Sequence, residues 1–128
     1  MNQKNLFYSK NAPKPMGLYP HARKVGNLIF LSGIGSREPG TDLIPESFEA
    51  ECHSVFKNVR TVLEEAGSSW EKIIDVTVFL TNMKKDFPVY NKIYAEYFKT
   101  NPPCRTTVEV GSLPSPISIE LKCIAEVE

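Results

Sequence analysis

The sequence predicts a mixed α and β domain in which two helices cover one face of a sheet, and three observations predict it. Two stretches carry apolar residues at helical spacing, four others alternate or run apolar in the manner of strands, and prolines fall at the joints between them. With 128 residues and no internal repeat, the chain has the length of one domain, and residues 1–128 are expected to form a single unit.

Residues 27–33 (NLIFLSG) form a short apolar run ending in serine and glycine, which predicts a buried strand that leaves the core at Ser32. The following stretch, 34–45, is expected to be a loop. From Glu46, the residues Phe48, Cys52, Val55, Phe56, Val59, Val62, Leu63 and Ala66 recur at helical spacing, and Gly67 supplies a stop. Residues 73–81 alternate, with Ile74, Val76, Val78 and Leu80 on one face and Asp75, Thr77, Phe79 and Thr81 on the other.

A second helix is expected from Asp86, as N-cap, with Pro88 in its first turn, Tyr90, Ile93, Tyr94, Tyr97 and Phe98 on its buried side, and an end before Pro102. Two strands complete the chain, 105–111 and 117–127. The last places Ile117, Ile119, Leu121, Cys123, Ala125 and Val127 on one face. Two helices cover only one face of such a sheet, yet Phe79 and Ile124 lie on the opposite face, which is therefore expected to meet another subunit.

Composition narrows the function. Fifteen basic residues balance fifteen acidic ones, so no net field draws the chain to nucleic acid or to an anionic membrane. The stretch 1–14 is polar, and nowhere do about 18 apolar residues run uninterrupted, so a soluble, cytoplasmic protein is expected. Three widely spaced cysteines fit neither a disulfide framework nor a zinc or redox motif. His53 has no second histidine at ligand spacing, so no metal and no cofactor is assigned. Ser32 lies in Leu-Ser-Gly rather than a nucleophile elbow, and its expected task is a hydrogen bond in a pocket wall.

Period two in the strand from Arg105 assigns Thr106, Val108 and Val110 to the core side and Arg105, Thr107 and Glu109 to the other, while the last strand sets Glu120 and Lys122 opposite its apolar stripe. If the two strands are neighbours, Arg105 and Glu120 share one face. Such a pair suits imine hydrolysis, in which a cation orients a substrate carboxylate and a carboxylate deprotonates water. A cross-strand salt bridge is the ordinary alternative.

The run Pro103-Cys104-Arg105-Thr106-Thr107-Val108-Glu109-Val110, then Leu113-Pro114, then Ile119-Glu120-Leu121-Lys122-Cys123-Ile124-Ala125, resembles the signature of the reactive intermediate deaminase (Rid, or YjgF-like) family. Tyr19, Leu31-Ser32-Gly33 and Asn91 also match that pattern, so the likeness runs from Met16 onward. The resemblance implies a chorismate-mutase-like α+β fold assembled as a homotrimer with active sites between subunits. It further implies that Arg105 binds the substrate carboxylate, Glu120 activates water, and Tyr19 lines the pocket from across the boundary, with Ser32, Asn91 and Thr107 as further substrate contacts. Thr107 stands where many members carry cysteine, so a thiol mechanism there is excluded, although the backbone N–H that the family uses is retained. Cys104 is expected to be a small buried filler.

Within the family, residues 15–21, 32–37 and 105–108 look most like the 2-aminomuconate deaminase branch. Its substrate is a dicarboxylate enamine, for which Arg37 is the candidate second cation, although Glu38 could equally pair with that arginine. His21 is a candidate proton donor or a structural histidine. Two other readings stand beside this one. The first is a general 2-iminobutanoate/2-iminopropanoate deaminase clearing reactive imines, and the second a non-catalytic trimeric ligand-binding or regulatory protein.

Overall fold

The computed structural model describes residues 5–127. Along them run β1 (Leu6–Phe7), β2 (Ala22–Val25), β3 (Leu28–Leu31), β4 (Ile34–Gly35), α1 (Phe48–Glu65), β5 (Ile73–Leu80), α2 (Met83–Tyr97), β6 (Cys104–Glu109) and β7 (Ile119–Glu126), with a 3-10 turn, Trp70–Lys72, leading into β5. The strands form one sheet in the order β1-β2-β3-β7-β5-β6, and β4 pairs with β7 beside that path. All pairings are antiparallel except β5 with β6, whose connection crosses over through α2.

Residue chemistry sets the helix ends. Ser47 caps α1, its side chain accepting from the Ala50 N–H, and glutamates 49 and 51 in the first turn favour the positive end of the helix dipole. The far end closes at Gly67, whose φ of 93° suits a residue without Cβ, and the Ser68 N–H returns to the Leu63 carbonyl.

Helix α2 starts earlier than its sequence suggests. Asn82, not Asp86, is the N-cap, and its side chain accepts from the Lys85 N–H, while Glu109 of β6 accepts from the Met83 N–H. Pro88 therefore lies inside the helix rather than in its first turn, leaving the carbonyl one turn back without its helical donor. Asp86 is instead buried in the first turn.

Both helices cover the same face. On the sheet, Val76, Val78 and Leu80 of β5 lie opposite Cys123, Leu121 and Ile119 of β7, all essentially buried. Val55, Phe56, Val59, Val62 and Leu63 of α1 and Tyr90 and Ile93 of α2 close the core above them. Each such large side chain contributes about 1.5–3 kcal/mol by leaving water.

The assignment of faces in β6 must be reversed. Val76 pairs with Arg105 and Val78 with Thr107, so Arg105 and Thr107 lie on the helix side, while Thr106 and Val108 face away, Val108 being 37% exposed. The apolar alternation of an edge strand here marks the uncovered face, not the core. That face also holds Phe30, Phe79 and Ile124, all only partly buried, in keeping with the apolar second face expected from the sequence. Cys104 is likewise exposed rather than buried. The expected loop 34–45 contributes β4, and the sequence reading missed β1 and β2, whose exposed Arg23, Lys24 and Val25 show no apolar period.

Candidate functional site

Glu120 sits on β7 opposite Phe79 of β5 and Gly35 of β4, on the face away from the helices. Gly33 makes room for it: a Cβ there would come within 2.1 Å of Glu120 Oε2. The carboxyl group lines a cleft of about 340 Å³ together with Tyr19, Ser32, Gly33 and Pro114. An adjoining pocket brings Glu120, Tyr19 and Arg37 together with Ile117. Burial pushes the Glu120 carboxyl up from its ordinary value.

The walls of this cleft are fixed by hydrogen bonds. Ser32 Oγ donates to the Pro20 carbonyl at 2.7 Å, as expected of a wall residue rather than a nucleophile. Tyr19, 39% exposed, accepts from the Met16 N–H through its hydroxyl. His21 is 4% exposed; its Nδ1 accepts from the Ser9 N–H at 2.9 Å, so Nε2 carries the proton and donates to the Pro13 carbonyl at 2.8 Å. Both ring nitrogens are thus engaged by backbone groups. Arg37 pairs with Asp42 at 2.7 Å, not with Glu38, and donates to the Lys14 carbonyl.

Arg105 lies elsewhere. On β6, beneath α2, its guanidinium carbon is 4.6 Å from the ring centre of Tyr94, 5.6 Å from Phe87 and 5.7 Å from Tyr90. Among the described residues no hydrogen bond or ion pair engages the guanidinium, although the residue is half-buried. Three aromatic faces thus stabilise this cation. Thr107 and Tyr90 share this side of the sheet, each with a buried hydroxyl oxygen that has no partner among the described residues. Burial pushes the Tyr90 and Tyr94 phenols up, while the nearby Arg105 acts the other way. Asn91 is exposed on α2, four residues after Phe87 and three before Tyr94, hence on the stripe that faces Arg105.

The expected residues therefore form two groups. Tyr19, Ser32, Arg37 and Glu120 gather around one cleft with His21 behind them; Arg105, Thr107 and Asn91 gather beneath and beside α2. Arg105 and Glu120 do not share a face within one chain: the sheet lies between them. The aromatic cradle of Arg105 escaped the sequence reading of the site, although Phe87, Tyr90 and Tyr94 at i, i+3 and i+7 were a usable signal. His53 faces out, its Nδ1 2.6 Å from the Tyr97 hydroxyl. Cys52 and Cys123 are buried, and burial raises both thiols to about 12.

Three comparisons bear on this arrangement. A family model described as Endoribonuclease L-PSP matches residues 9–127. A RutC family protein of Pyrococcus horikoshii is 39% identical over 123 residues, covering 95% of this chain and 97% of that protein. Reactive Intermediate Deaminase A, chloroplastic, of Arabidopsis thaliana is 36% identical over 124 residues, covering 96% of this chain and 66% of its own length. Among solved structures, the YjgF gene product of E. coli superposes with a TM-score of 0.88 at 31% identity, covering 96% of this chain and 98% of that one.

Proposed function

The chain belongs to the Endoribonuclease L-PSP family, which takes in the Rid and YjgF proteins, and on that premise we propose that it is a deaminase hydrolysing imines or enamines of carboxylate substrates. The observation that carries this reading is Arg105: a half-buried guanidinium set among aromatic rings, with no hydrogen bond or ion pair to it among the described residues, suits a carboxylate. Because Arg105 and Glu120 lie on opposite faces, the reading requires two copies at each active site. Arg105, Thr107 and Asn91 of one subunit then meet Glu120, Ser32 and Tyr19 of the next in a homotrimer. The apolar residues on the uncovered face, Phe30, Phe79, Val108 and Ile124, support that assembly.

In this scheme Arg105 holds the substrate carboxylate. An enamine first takes a proton on carbon to become the iminium. Glu120 then removes a proton from water as the water oxygen bonds the iminium carbon and returns it to nitrogen; the C–N bond breaks as the new hydroxyl gives up its own proton to Glu120, which balances the proton first taken on carbon. One water enters; ammonia and a 2-oxo acid leave. Neither metal nor cofactor is part of the scheme, and the location proposed is the cytoplasm. The family's description names a ribonuclease, but a chain of balanced charge offers no field for a polyanion, and RNA is not the proposed partner.

The substrate proposed is a 2-aminomuconate-like dicarboxylate, supported by Arg37 lining the same pocket as Glu120. Clearance of general 2-imino acids is the second reading, favoured by the prior pairing of Arg37 with Asp42. A trimer that binds without turnover is the third. Ammonia release from 2-aminomuconate and from imino acids generated in situ tests all three. Arg105→Ala is expected to lose about 10²–10⁴-fold in kcat/KM, and undiminished activity removes the carboxylate anchor. Arg37→Ala should weaken the dicarboxylate far more than the monocarboxylates; equal losses favour the general reading.

A further inference from the structure

One stripe of α1 is polar where the rest of its buried face is apolar. Glu51 is 5% exposed and Asn58 1%, depths at which polar atoms need partners. The partners lie on the chain next to Gly35, Arg37 and Ile117, which line the pocket beside Glu120. Glu51 Oε1 accepts from Ser36 Oγ at 2.7 Å and from the Ser118 N–H at 2.8 Å. Ser54 Oγ donates to the Ser36 carbonyl at 2.8 Å, and Asn58 Nδ2 donates to the carbonyls of Gly35 and Arg37, each at 2.9 Å. Positions 51, 54 and 58 fall at i, i+3 and i+7, so a single helix face carries all three.

The register shows what this stripe fastens. Strands β4 and β7 pair Ile34 with Leu121 and Gly35 with Glu120, and there their pairing stops. Glu51 bonds the next residue on one strand, Ser36, and a residue two before Glu120 on the other, Ser118. A single carboxylate oxygen thus bridges the ends of β4 and β7 beyond their last mutual pair, while on the other side the Thr81 N–H donates to the Ser118 carbonyl at 3.2 Å.

We propose that Glu51 is a positioning residue for the deamination: through Ser36 and Ser118 it sets the spacing of the strand ends that carry Gly35 and Glu120, and so places the Glu120 carboxylate. The inference rests on the deaminase reading. It uses the acceptor capacity of one oxygen rather than its charge, so a glutamine carbonyl serves equally, whereas leucine leaves two buried donors unanswered.

The test measures kcat, KM and amide exchange at Ser118 in Glu51→Gln, Glu51→Leu and Ser36→Ala. Glu51→Gln should stay within about twofold of wild type. Glu51→Leu should lose about 30-fold in kcat per folded molecule at little-changed KM, since displacing a catalytic group costs rate while Arg105, on another strand, still binds the carboxylate. Its Ser118 amide should exchange at least about tenfold faster. If the leucine variant fails to fold, Ser36→Ala removes one of the two bonds and should lower kcat about fivefold, again without a change in KM. Unaltered kcat in Ser36→Ala, slow Ser118 exchange in Glu51→Leu, or a glutamine variant as damaged as leucine would each overturn the proposal. A wild type that releases no ammonia defeats the deaminase reading itself, and the Ser118 exchange contrast decides the clamp separately.

Discussion

Around Arg105 the surroundings are aromatic and helical; around Glu120 they are glycine, proline and short strand. The arginine lies on an edge strand beneath α2, its guanidinium over Tyr94, with Thr107 and Tyr90 hydroxyls nearby that have no partner among the described residues. The glutamate lies on a central strand, reached by a wall that α1 and the chain around Pro13 to His21 hold through hydrogen bonds. In the proposed scheme one half grips an anion and the other moves a proton, and the two tasks meet only where two copies of the chain do.

The largest test of this division is complementation. Arg105→Ala and Glu120→Gln homotrimers should each be nearly inactive, losing about 10²–10⁴-fold. Mixed and reassembled in equal amounts, they should recover about a quarter of wild-type activity, because one interface in four then joins two intact halves. If both residues served one chain's site, mixing would restore nothing.

A smaller effect is read from the titration of Glu120. Burial raises its carboxyl in the single chain, so ionisation opposes folding: its contribution to stability is present below the unfolded-state value and is lost as pH rises through the folded one. An arriving guanidinium pulls the value back down. Carboxyl NMR should therefore find Glu120 titrating higher in Arg105→Ala than in wild type; identical titrations would separate the halves. The smallest effect belongs to the cradle. Tyr94→Leu removes one cation–π contact of about 1 kcal/mol, so KM should rise about fivefold with kcat unchanged, as steady-state kinetics would show.

The long elements were legible because period is a strong signal where burial is deep. α1 and β7 follow their apolar spacing to within a residue or two, and the second apolar face showed through Phe79 and Ile124; β5 follows its alternation only from Val76, because a register shift between Ile73 and Asp75 buries Ile73 and leaves Ile74, expected on the core face, 38% exposed. Edge and end effects were not legible. Val108 and Val110 are apolar, but β6 borders the sheet under partial helical cover, so its apolar alternation pointed to the other face. Asp86 is a good capping residue, yet Asn82 lies nearer the strand exit and takes the role. At the candidate site, period-two spacing placed Arg105 and Glu120 on one face, whereas the register places them on opposite faces. The bonds of Glu51 to Ser36 and Ser118 run between elements, which no local pattern reveals.

Gly33 carries a consequence for how such a chain could change its task. A single added methyl group there would displace the Glu120 carboxylate while leaving the arginine, its aromatic rings and the packed core untouched. The resulting protein would still fold and still take up carboxylates, but it would hold them without consuming them. In the proposed scheme, receptor and enzyme are one carbon atom apart.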